Sequence, residues 1–185
     1  MQGPTAGFWY DTDATRLPDD AARAMGGPLM PEEIRSVTEI SRTEIEHAFS
    51  ALRMTVTDKP AAFWRVKVVQ SLPVRPGQVL PNAGESLALG ALGGTGEIGF
   101  DIVSRRALFY APTGASRGRI VEAIGRGIGR VAVHEFVHQM LGGDSRHNDT
   151  DENSYEYGSP DRFSQYYGEL HWTTAWPLLL QKFGT

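Results

Sequence analysis

Cysteine is absent from this sequence. Its absence excludes disulfides, thiolate metal sites and cysteine nucleophiles together. An excess of basic charge is also missing: 18 Lys and Arg stand against 22 Asp and Glu, a formal charge of -4. That balance offers no basic footprint for nucleic acid or an anionic membrane. No stretch approaches the roughly 20 apolar residues of a membrane-spanning helix. The opening "MQGPTAGFWY" has neither a basic n-region nor an apolar h-region, so no signal peptide is read there. Localisation stays open, with a secreted or periplasmic form favoured over a cytoplasmic one if a leader has been removed. No Gly-x-Ser-x-Gly elbow and no Walker loop is present. Histidine is scarce as well. There are five, and three of them fall between positions 134 and 147.

What is there reads as one α+β domain over residues 1–185. Residues 1–30, rich in Pro, Gly and Asp, read as an irregular N-terminal arm with one short strand and an aromatic cluster at Phe8, Trp9 and Tyr10. Pro31 followed by Glu32 and Glu33 starts a helix of about twenty residues, with Ile34, Val37, Ile40, Ile45, Ala48, Phe49 and Leu52 at helical spacing. Strand-like pieces follow at 53–57, 63–71, 85–92 and in two segments between 97 and 111, enriched in Val, Ile, Phe and Tyr. The segments "SLPVRPGQVLPNAG" and "GGTG" read as loops, and Arg105 and Arg106 as a solvated turn. A second long helix is expected from about 116 to 142; its "GRGIG" is read as close helix–sheet packing. Residues 144–185 would carry a loop and then a C-terminal helix opening at Ser159-Pro160-Asp161, with Pro177 kinking or ending it.

The chemistry concentrates in "HEFVHQMLGGDSRHNDTDENSYEYG", residues 134–158. On a helix, His134 and His138 lie one turn apart and converge on one ion, an arrangement that suits zinc. Glu135 points about 100° around the axis, toward water at that ion, where a carboxylate acts as general base. The surrounding "VAVHEFVHQML" is apolar, so the helix is at least half buried. A buried histidine pair needs a reason, because unpaired polar groups in a core are costly. A catalytic zinc has three protein ligands and an open position. Gly142 and Gly143 can end the helix and let the chain double back. His147 is the expected third ligand, with Asp144, Glu156 and Glu169 as alternatives.

The stretch resembles the metzincin superfamily of zinc peptidases, most closely the matrixin type. Its pattern is His-Glu-x-x-His-x-x-Gly-x-x-His, followed eight residues later by the methionine of a tight turn under the metal. His134, Glu135 and His138 match. His147 comes three residues late, and Tyr155 stands where the methionine belongs; no methionine follows Met140. "GEIGFD" is similar to the last-strand signature of matrixins, and the element order fits over about residues 31–158. The resemblance implies a mixed twisted sheet, a long backing helix and an active-site helix. It also implies an antiparallel edge strand near 86–92 that holds peptide substrate by strand addition. Tyr157 matches the position from which some metzincins stabilise the oxyanion, and Tyr155 would pack under the metal.

The expectation is therefore a zinc endopeptidase with Zn2+ on His134, His138 and His147, Glu135 as base and Tyr157 assisting. Two alternatives stand beside it. One is a non-catalytic zinc-binding module. The other is a zinc hydrolase of a small amide, with the gluzincin-type third ligand Glu169.

Overall fold

The computed structural model describes residues 4–79, 81–142 and 147–184. Five strands form a mixed sheet: β1 (Thr5–Tyr10), β2 (Thr55–Thr57), β3 (Trp64–Val69), β4 (Gly84–Ala88) and β5 (Gly94–Gly99). Their order is β2-β1-β3-β5-β4. The first four of that order run parallel, and β4 lies antiparallel to β5 at the edge. Helices α1 (Asp19–Ala24), α2 (Pro31–Ala48), α3 (Phe100–Phe109), α4 (Arg117–Leu141) and α5 (Ala175–Phe183) complete the α+β architecture. Most of the buried apolar residues, from Ala6 to Leu179, form one contiguous cluster.

Both long helices form where their ends and faces dictate. Pro31 sits at the first position of α2, and the Glu33 carboxylate accepts the Met30 N–H at 2.8 Å, satisfying an otherwise orphaned donor. Ser116 caps α4 by accepting the Arg119 N–H. The "GRGIG" glycines serve packing, but chiefly between helices. A Cβ on Gly125 would meet Ile40 at 2.9 Å, and one on Gly129 would meet the Ser41 carbonyl at 2.6 Å. Their lack of side chains lets α4 lie directly on α2.

Several sequence expectations are corrected. Residues 4–30 are not an arm: β1 is an inner strand, paired on both sides, and α1 follows it. "GGTG" is not a loop. Gly94 and Gly96 lie in β5, where a Cβ would strike the Gln139 side chain at 2.4 and 3.1 Å. These glycines signal the close approach of α4 and not a turn. The strand reading of 97–111 fails after Gly99. Phe100, Val103, Ser104 and Ala107 are buried at helical spacing, and Arg105 and Arg106 belong to α3. The edge strand ends at Ala88; Gly90–Leu92 is a 3-10 turn, and Gly93 adopts φ 89° against the Phe63 carbonyl, a backbone state glycine takes without strain. No long helix opens at Ser159; only a 3-10 turn forms at Phe163–Gln165. Pro177 lies in the first turn of α5 and neither kinks nor ends it, because that turn requires no N–H from it.

Candidate metal centre

α4 is the platform. Its buried face includes Val131, Val133, Phe136, Val137 and Met140, which fixes how the helix is turned. His134 and His138 then project into a cleft one turn apart, with their Nε2 atoms 3.0 Å from each other. His147 arrives from beyond the C-terminal end of α4 and brings its Nε2 to 3.2 Å from that of His138. One ligand atom from each of the three lies within 4.8 Å of the others. Three nitrogens at about 2.05 Å from one tetrahedral ion would be about 3.3 Å apart, close to this spacing.

The surroundings fix the imidazole chemistry. His134 Nδ1 lies 2.9 Å from the Tyr155 carbonyl. A carbonyl only accepts, so Nδ1 donates and Nε2 keeps its lone pair toward the cleft. Burial, with the neighbouring His138, lowers the pKa of His134 to about 3, so the ring is neutral near pH 7. Burial and His147 lower that of His138 as well. The Nε2 atoms of His138 and His147 stand within hydrogen-bonding range of this cluster, so all three can turn a lone pair to one shared cation. The three nitrogens therefore fit a metal ion by spacing and ligand type, with two of them fixed on one helix.

Glu135 is 5% exposed. Burial, with a smaller contribution from the Glu85 charge, raises its pKa to about 8. Gly84 leaves it room: a Cβ there would meet Glu135 Oε1 at 2.6 Å. Two contacts tie α4 to the edge strand. Ser86 Oγ donates to the Glu135 carbonyl at 3.2 Å and accepts from Gln139 Nε2 at 2.9 Å. Gln139 also exchanges hydrogen bonds with both backbone groups of Arg65, each at 3.0 Å. The helix that bears the ligands is thereby held against β3 and β4.

Tyr155, residues 157–160 and Arg162 also line this cleft, whose volume is about 530 Å3. Tyr155 is buried and its ring lies 4.6 Å from that of Trp172. Tyr157 lines the cleft beneath the Arg162 guanidinium, 4.9 Å from its ring centroid. His147 rests on Gly158, where a Cβ would come within 2.9 Å of Nδ1. The backbone bond from Asn148 N to the Glu156 carbonyl closes the loop behind it.

The alternative ligands fare differently. Asp144 lies outside the described residues. Glu156 is buried away from the imidazoles, accepting the N–H groups of Thr173 and Ala175 at the start of α5. Glu169 is 88% exposed and pairs with Arg126, two turns of α4 before His134. The structure thus brings His134, His138 and His147 together, and leaves the Glu156 and Glu169 carboxylates elsewhere.

Sequence reasoning missed Ser86, Gln139 and Arg162. Gln139 was visible as the one neutral polar residue between His138 and "MLGG". Nothing local marked Arg162. No family model and no curated protein matches the sequence.

Proposed function

We propose that this chain is a zinc-dependent endopeptidase of metzincin-like build, with Zn2+ held by His134, His138 and His147. The observation that carries the reading is the set of three converging Nε2 atoms beside a buried glutamate, in a cleft bordered by an antiparallel edge strand. Zinc on such a donor set supplies a Lewis acid that polarises a carbonyl and acidifies water.

The chain's own residues divide the remaining work. Glu135, buried next to the imidazole cluster, takes a proton from the attacking water as a carboxylate and delivers it to the leaving amine. Peptide substrate adds to β4 as an extended strand; the usable stretch is Gly84–Ala88 and not 86–92, since Gly90–Leu92 turns away. Tyr157 lines the same cleft as that strand and donates a hydrogen bond from its hydroxyl to the developing oxyanion.

The test is metal analysis combined with digestion of a diverse peptide library. Wild type should contain one zinc per chain and cleave peptides. Glu135→Gln should retain the zinc and lose cleavage. Zinc in both proteins with no peptide cut by wild type would leave a zinc-binding module or a hydrolase of small amides in place of the peptidase.

A further inference from the structure

Two arginines are buried close to this cleft, and they differ in how they are satisfied. Arg130 is 3% exposed. It pairs with Glu44 at 2.9 Å and donates to the carbonyls of Ser164 and Gly168. Arg162 is 6% exposed and lines the cleft. Its Nη2 donates to the Ser154 carbonyl and to Gln165 Oε1, both at 2.9 Å. Its Nε and Nη1 have no partner, and no carboxylate among the described residues forms an ion pair with it. A guanidinium carries five N–H donors, so three stay unused on a side chain that cannot lose its charge near neutral pH. Burial lowers the pKa of Arg162 only to about 10, so it remains a cation.

The place of this charge is informative. Ser154 and Tyr155 are consecutive, and their carbonyls hold Arg162 and His134 respectively. The guanidinium, with its Nε and Nη1 unused, is thus one residue removed from the support of the metal centre, in the same cleft. A second guanidinium with an unused nitrogen lines the same cleft. Arg106 also lines the cleft; its Nε pairs with Asp161 at 3.6 Å, and its Nη1 has no hydrogen-bond partner among the described residues. Unused guanidinium donors of two arginines in one cleft define a place that suits an acceptor from outside the chain.

We infer that Arg162, supported by Arg106, binds a carboxylate of the peptide substrate and so sets which bonds are presented to Glu135. The inference rests on the peptidase reading for its substrate class. The carboxylate has two sources: an Asp or Glu side chain near the cleaved bond, or a free C-terminus close to it. Both present two oxygens to guanidinium donors, with charge-assisted hydrogen bonds.

Two measurements test this together. The first follows the Arg162 Nε–H signal by NMR in zinc-loaded Glu135→Gln protein. N-acetyl-glutamate amide and N-acetyl-alanine are the two carboxylate probes, and N-acetyl-glutamine amide is the uncharged control. A shift with either carboxylate and none with the control supports the site, and which carboxylate acts identifies the source. No shift with either overturns it. The second measures kcat/KM for peptides differing only by Glu or Gln at each position around the cleaved bond, with amidated or free C-termini. Wild type should favour the carboxylate by about ten- to a hundredfold, the value of a hydrogen bond to a charged group. Arg162→Gln should lose that preference and Arg162→Lys should keep part of it. Cleavage without carboxylate preference in wild type, or a preference unchanged in a folded Arg162→Gln, overturns the inference and leaves the peptidase reading intact. Should Arg162→Gln not fold, the wild-type preference and Arg162→Lys decide. An Arg162 shift in a protein that cuts no peptide keeps the carboxylate site and removes the peptidase reading.

Discussion

At the scale of single residues, the centre depends on one histidine that the long helix does not supply. His134 and His138 are preset on α4, whereas His147 is held by the loop that closes at Glu156 and by contact with Gly158. Removing it leaves a two-nitrogen site. His147→Ala should weaken zinc binding by more than the ten- to hundredfold typical of losing an outer partner, as read by competition with a chromogenic chelator. Tyr157→Phe separates two roles. Phenylalanine keeps a ring beneath Arg162 and removes only the hydroxyl. If that hydroxyl meets the oxyanion, kcat falls by about a hundredfold or more with KM little changed. An unchanged kcat would reduce Tyr157 to a packing partner of Arg162.

At the scale of elements, the contact of α4 with α2 sets where the ligands stand. A methyl on Gly129 would lie 2.6 Å from a backbone carbonyl that cannot rotate away. Gly129→Ala should cost about 1–2 kcal/mol in chemical denaturation even after the gain in helix propensity. Gly118→Ala, with nothing within 4 Å on the same helix, should be neutral or stabilising by up to about 1 kcal/mol. The start of α2 is joined to α4 by Arg117, which donates to both Glu33 oxygens, at 2.6 and 2.7 Å, and to the carbonyls of Met25 and Pro28. Arg117 holds the Glu33 carboxyl below its ordinary value of 4.5. A carboxyl lowered in the folded state adds stability above its unfolded pKa, and that stability is lost as pH falls through the lower folded value. Glu33→Gln should therefore cost about 1 kcal/mol at pH 7, a small figure because the pair is partly exposed. The difference should shrink below pH 4.5 and disappear once Glu33 is protonated, as followed by urea unfolding at each pH.

At the scale of the whole molecule, the proposed ion would join α4 to the chain beyond it, since the ligands come from two separate segments. Binding to the folded state alone raises stability by about 2.7 kcal/mol when free zinc is a hundredfold above its Kd. Chelation should lower Tm accordingly. Hydrogen exchange should rise at 147–158 far more than in the core of α4. Equal loss of protection throughout would mean that the ion holds the entire fold and not this loop.

The sequence by itself determined the half-site and much of the frame. His-Glu-x-x-His on an apolar helical face implies its own geometry, because a helix places residues four apart on one side. Pro31 with Glu33 and Ser116 marked helix starts through local capping, which is also sequence-near. The tertiary structure alone decided the rest. Gly94 and Gly96 read as a loop because local propensity does not see Gln139 pressing on them from α4. Phe100 to Phe109 read as strand because its aromatic and branched residues suit either state until a neighbouring surface chooses the face. Glu156 was a plausible ligand until the start of α5 took its oxygens. Arg162 carried no local signal at all: what marks it is a buried charge with Nε and Nη1 unused, a property of the assembled cleft and of no stretch of chain.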